Sequence, residues 1–73
     1  MGNGDRILAN NVRRLMDERG LTFRKIADIA ARSGLYVSYT TFYNVAHGIN
    51  DARLSTLRAI KAALGVTWDE LLD

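Results

Sequence analysis

Cysteine and proline are absent from the 73-residue chain, and histidine occurs once, at His47. Without cysteine there is no disulfide and no thiolate zinc site, and a lone imidazole does not make a histidine-rich metal centre. No metal or cofactor is expected. No apolar run approaches the roughly 18 residues needed to cross a bilayer, and Met1-Gly2-Asn3-Gly4-Asp5 is too polar for a secretory signal. The expectation is a cytoplasmic protein with no membrane partner. Material for catalysis is also short. One histidine and three serines, in a chain with room for only a small core, leave no nucleophile beside a base and no carboxylate pair in a cleft. Gly2-Asn3-Gly4 precedes no predicted strand, so it is not a phosphate-cradling loop. Neither an enzyme nor a small-molecule substrate is expected.

What is present is an uneven charge distribution. Ten Lys/Arg against eight Asp/Glu give a net charge of +2. Asp69, Glu70 and Asp73 close the chain without a cation, so residues 1–66 carry ten positive against five negative charges, or +5. A basic body with an acidic end points to a polyanion on one side. A chain this short forms one domain that buries only about 60% of the surface its unfolded form exposes, so it depends on good helix packing or on a partner.

Gly20, Gly34, Gly48 and Gly65 punctuate segments of helical character, and no β-branched alternation is sustained, so the chain reads as all-α. Leu8, Val12 and Leu15 form one apolar stripe and predict a first helix over about Asp5–Arg19. Thr22 is placed to N-cap a second helix through about Arg32, with Phe23, Ile26, Ile29 and Ala30 inward. Arg24, Asp28 and Arg32 face outward at salt-bridging i,i+4 spacing. Ser38 is placed to cap a third helix through about His47, with Phe42 and Val45 inward. A fourth runs about Arg53–Leu64, capped by Asp51 or Ser55 and burying Leu54, Leu57, Ile60 and Leu64. Thr67-Trp68-Asp69-Glu70 is a capping box opening a short fifth helix that ends at Leu71-Leu72. Residues 1–4 are expected to be a flexible N-terminus and residues 5–73 a single five-helix domain.

A second helix, a tight glycine-containing connection, a third helix with one apolar and one small polar face, and a fourth closing the core is a helix-turn-helix layout. Over about Val12–Leu72 the chain resembles the lambda-repressor-like DNA-binding domains of Cro and XRE type. The resemblance is carried by Gly20-Leu21-Thr22, Ile26-Ala27, Val37-Ser38 through Phe42 and Val45, and His47-Gly48, where the family usually has Asn-Gly. It is strongest in the run from Leu57 to Leu72, LRAIKAALGVTWDELL. The chain departs from the family in three places. Thr22 to Gly48 is longer than the family spacing by about one helical turn plus a residue or two. Met16 and Ala46 stand where the family often pairs Arg with Glu, a joint replacement that removes both charges together. Phe23 stands where the second helix usually begins with Gln, a phosphate-contacting residue.

The resemblance implies a compact lambda-repressor-like bundle and a transcriptional regulator. The expected activity is that of a repressor of phage or mobile-element type, nucleoid-associated, binding double-stranded DNA at an inverted repeat as a homodimer with its third helix in the major groove. The family's reading positions fall on Tyr39, Thr40, Tyr43 and Asn44. These side chains carry groups that can meet base edges. Asn44 offers a bidentate face to adenine, Thr40 a methyl and a hydroxyl, and the tyrosines rings and phenols. No Lys or Arg lies in the third helix, so A/T-leaning half-sites are expected. Phosphate contacts are expected from Arg24 at the start of the second helix and from Arg53 at the start of the fourth. Ser38, His47, Arg13 and Arg14 complete that set, while Arg58 and Lys61 are read as solvated. Trp68, Leu71 and Leu72 can serve a dimer contact or cover the core. A second function remains open: an antitoxin-like or adaptor module using Tyr36, Tyr39 and Tyr43 as a protein-docking patch. Salt separates the two, because DNA binding weakens steeply with it.

Overall fold

A computed structural model of the chain describes residues 5–73, so the expected flexibility of residues 1–4 lies outside the described residues. Five helices follow in order: α1 (Arg6–Arg19), α2 (Phe23–Arg32), α3 (Tyr39–Ala46), α4 (Leu54–Leu64) and α5 (Trp68–Leu72). There is no strand among the described residues, and no helix among them is long and apolar enough to cross a membrane.

Local chemistry sets the boundaries. Free amides at each helix start need an acceptor. The Asp5 carboxylate accepts from the Leu8 amide at 3.1 Å, Thr22 Oγ1 from Lys25 at 3.1 Å, and Ser38 Oγ from Thr41 at 3.3 Å. At α5 the box closes both ways: Glu70 N–H donates to Thr67 Oγ1 at 3.1 Å, and Thr67 N–H donates to Glu70 Oε1 at 3.0 Å. That second bond favours the ionised carboxylate and holds the Glu70 pKa below its ordinary value, with Arg19 and Arg14 adding smaller attractions. Helix α4 departs from expectation. Its N-cap is Arg53, with no side-chain cap, rather than Asp51 or Ser55. Asp51 lies two residues too early for its carboxylate to meet the first-turn amides, and Ser55 is already inside the helix. Helices α1 and α4 end at Gly20 and Gly65, whose φ values of 63° and 66° cost an L-residue about 1–2 kcal/mol.

The core joins Val12 and Leu15 of α1, Ile26 of α2, Phe42 of α3, Ile60 of α4 and Leu71 of α5. Ala30, Ala46 and Ala59 are completely buried, and their small side chains let α2, α3 and α4 approach closely. Met16 and Ala46 are both in this core, where a single charge would be unpaired. Leu54, expected to be buried, is 58% exposed. The inward face of α4 is instead Thr56, Ala59, Ile60, Ala63 and Leu64, which turns Leu54 toward solvent. Phe23, Ile29 and Leu57 pack against the core without entering it.

Helix α5 is anchored by the buried Leu71 and by Asn11 Nδ2–H, which donates to the Leu71 carbonyl at 2.9 Å. Leu71 is therefore unavailable for a dimer contact. Trp68 and Leu72 remain exposed, with the Lys61 ammonium 5.5 Å from the Trp68 ring centre.

The extra length between Thr22 and Gly48 falls in the connection. Helix α2 stops at Arg32 and α3 begins at Tyr39, so residues 33–38 join them, against the three or four residues of a tight helix-turn-helix turn. Of the two places the added residues could lie, the second helix or the connection after it, they lie in the connection. Gly34, with φ of 81°, turns the chain, and the following segment presses Leu35 and Val37 onto the core while leaving Tyr36 83% exposed.

Candidate nucleic-acid interface

Helix α3 buries Phe42, Val45 and Ala46, and this fixes what its other side presents. Tyr39, Thr40, Tyr43 and His47 are exposed, and Asn44 is partly buried. Residues four apart on a helix lie one above another. Tyr39, Tyr43 and His47 thus form one aromatic row, with Thr40 and Asn44 beside it.

The first turn of α2 braces that row. The Phe23 ring meets Tyr43 edge-on at 5.5 Å and lies 6.1 Å from His47. Tyr43 and His47 are tilted together at 4.3 Å. Arg24 Cζ sits 4.7 Å from the centre of the Tyr39 ring. The i,i+4 triplet of α2 is accordingly split: Asp28 pairs with Arg32 at 2.8 Å, and Arg24 turns to the tyrosine instead. His47 closes α3 through its backbone N–H, which donates to the Tyr43 carbonyl at 3.0 Å, while its ring joins the aromatic row. Phe23, read in sequence as the loss of a phosphate-contacting Gln, is in the structure the buttress beneath Tyr43.

Cations surround this face unevenly. Arg24 and Lys25 both lie in the first turn of α2, which contains no acid, so two positive side chains add to the positive end of the helix dipole. Lys25 was not among the expected phosphate contacts. Its signal is the Arg24-Lys25 pair directly after the Thr22 cap. Arg13 donates to Asn10 Oδ1 and, with Asp17, Phe23 and His47, lines a shallow depression of about 250 Å³ at the end of α3. The structure thus brings Arg13 together with the α3 face. Arg14 is not brought there. One residue further along α1 is about 100° round the helix, and there Arg14 pairs with Glu18 at 3.3 Å and attracts Glu70 on the α5 side. Ser38 and Arg53 line a separate open cleft of about 590 Å³ between the starts of α3 and α4, with Tyr36, Thr41, Asp51 and Thr56. The ion pairs among the described residues use Arg14, Arg19 and Arg32, leaving Arg6, Arg13, Arg24, Lys25, Arg53, Arg58 and Lys61 outside them.

The arrangement is a helical face whose own residues include no Lys or Arg and carry amide, methyl, hydroxyl and aromatic groups, with Arg24 over the Tyr39 ring at one end, Arg13 near His47 at the other, and Arg53 in the separate cleft. Such a face can meet polar and apolar edges at its centre and anions at its border. No protein-family model matches the chain, and no curated protein or solved structure does.

Proposed function

We propose that the chain is a sequence-specific DNA-binding transcriptional regulator, a repressor of phage or mobile-element type that binds an inverted-repeat operator as a homodimer with α3 in the major groove. The observation that carries this reading is the division of labour around α3. Tyr39, Thr40, Tyr43 and Asn44 occupy a face without Lys or Arg of its own, and Arg24 and Arg13 stand at its two ends. Lys25 follows Arg24 in the first turn of α2, Arg53 lines the cleft beyond Ser38, and none of these four cations is in an ion pair among the described residues. Phosphate contacts fix register and supply affinity, and base-edge contacts supply specificity. A helix-turn-helix reader needs the start of α2 and the outer face of α3 on one side. The Phe23–Tyr43 and Arg24–Tyr39 contacts hold them so despite the longer connection. A single domain of this size spans too few base pairs for useful specificity, which favours two copies on half-sites about one helical turn apart. Trp68 and Leu72, exposed on one side of α5, are the apolar groups offered for the dimer contact.

The experiment is selection of bound duplexes from a random pool at about 50 mM salt. The expected product is an A/T-leaning inverted repeat. Asn44→Ala with Thr40→Ala should then cost about 1–3 kcal/mol of discrimination, the worth of one good bidentate contact. No enrichment, or enrichment indifferent to the double substitution, refutes the reading. The exposure of Tyr36 supports the second reading, a protein-docking module, because tyrosines are enriched among binding hot spots and Tyr36, Tyr39 and Tyr43 are all exposed. Binding to a protein through that patch would change little between about 50 and 200 mM salt, where DNA binding falls steeply.

A further inference from the structure

Arg24 occupies an electrostatically awkward place. It is the second residue of α2, in a first turn with no acid and with Lys25 beside it, where the helix dipole disfavours a cation. The nearest remedy on its own helix, Asp28 four residues on, is committed to Arg32 at 2.8 Å. An arginine so placed would ordinarily sample many rotamers in water. Its guanidinium instead lies 4.7 Å from the Tyr39 ring centre, and Tyr39 is the first residue of α3, directly after the Ser38 cap. Lys61 makes the opposite case. That cation also faces an aromatic ring, Trp68, but it sits in the last turn of α4, where the dipole favours it.

We infer that Tyr39 is a positioning residue whose contribution to DNA binding passes through Arg24, rather than a reader of bases. The ring and the guanidinium attract through the ring quadrupole, so the contact fixes a fork of N–H donors at the rim of α3, at the height where a groove-bound helix meets the sugar-phosphate strand. One side of the Tyr39 ring is occupied in doing this. The arrangement depends on the ring and not on the phenol oxygen. This inference rests on the DNA-binding reading above and deepens it.

The test compares Tyr39→Phe, Tyr39→Leu, Arg24→Ala and the Tyr39→Leu/Arg24→Ala double variant. Each is titrated by fluorescence anisotropy against a labelled duplex taken from the selected pool. Leucine keeps apolar bulk at a half-exposed site, so its melting temperature should stay within a few degrees of the parent. Tyr39→Phe should bind within about 2-fold of the parent, Tyr39→Leu about 5-fold more weakly, and Arg24→Ala about 10-fold more weakly. The double variant should match Arg24→Ala within about 2-fold, since a platform without its cargo has nothing left to lose. In the free protein, ring-current shifts of the Arg24 δ-methylene protons should survive Tyr39→Phe and vanish in Tyr39→Leu. Multiplicative losses in the double variant overturn the inference and leave DNA binding standing. So does a Tyr39→Phe defect as large as that of Tyr39→Leu, or the absence of ring-current shifts in the parent. A parent that binds no duplex overturns both readings.

Discussion

The salt dependence of binding can be worked from the placement of the cations. Taking one phosphate each for Arg13, Arg24, Lys25 and Arg53 gives four contacts per protomer and about eight per dimer. Counterion release then predicts a slope of log K against log salt of about −7, steeper than the roughly −4 to −5 that four to six contacts would give. Between about 50 and 200 mM salt the affinity should fall about 10⁴-fold. Removing one of these side chains removes two contacts from the dimer, so Arg24→Ala, Lys25→Ala, Arg53→Ala or Arg13→Ala should each make the slope shallower by about 2. Arg14→Ala and Arg32→Ala are the controls, because Glu18 and Asp28 hold those guanidiniums and Arg14 lies on the α5 side. Neither should move the slope by more than a few tenths. Anisotropy titrations at five or six salt concentrations measure all of these. A flat salt response, or an Arg14→Ala effect as large as that of Arg24→Ala, refutes the assignment of this face.

Three further outcomes concern the scaffold. The bond from Thr67 N–H lowers the folded-state Glu70 pKa below its unfolded value, so its stabilising effect is complete above the ordinary carboxylate value and is lost as pH falls through the folded one, below about pH 4.3. Fluorescence of Trp68, the sole tryptophan, should report loosening of α5 in that acid window. Glu70→Gln keeps the box but cannot titrate, and should abolish the step; an unchanged acid transition would disprove the link. Urea unfolding should show Ile60→Ala losing about 2–5 kcal/mol of a total near 4–11 kcal/mol, while Leu54→Ala stays within about 0.5 kcal/mol. Equal losses would contradict the assigned face of α4. Gly65→Ala should cost about 1–2 kcal/mol in the same assay although nothing lies within 4 Å of the added Cβ, because the penalty is in the backbone. A neutral result would contradict the left-handed cap.

The helices were legible in the sequence because their ends are written in short-range chemistry. Asp5, Thr22, Ser38 and Thr67 each stand where a side-chain oxygen reaches an amide three residues on, a relation that needs no knowledge of the rest of the fold. The burial of α4 was less legible for an equally physical reason. A hydropathy stripe favours Leu54 and Leu57, whereas close helix crossings select for smallness, which put Ala59 and Ala63 inside and Leu54 outside. At the candidate interface, the face of α3 followed from the inward direction of Phe42 and Val45. Which cations join it did not follow, since Arg13 and Arg14 are neighbours in sequence and lie toward different elements in the fold. The bracing of Tyr39 and Tyr43 by Arg24 and Phe23 was also hidden, because it spans two helices whose connection the sequence leaves undetermined.

That bracing has a consequence for how the chain tolerates change. Because the row on α3 is also gripped by the opening residues of α2, the stretch from Ser33 to Ser38 is not alone in setting the angle between the two helices. Leu35 and Val37 still plug the core, but the apex at Tyr36 stands clear of it. Tyr36 is therefore the natural splice point, where a dye, a short peptide or a few extra residues can be grafted while the reading surface keeps its bearing.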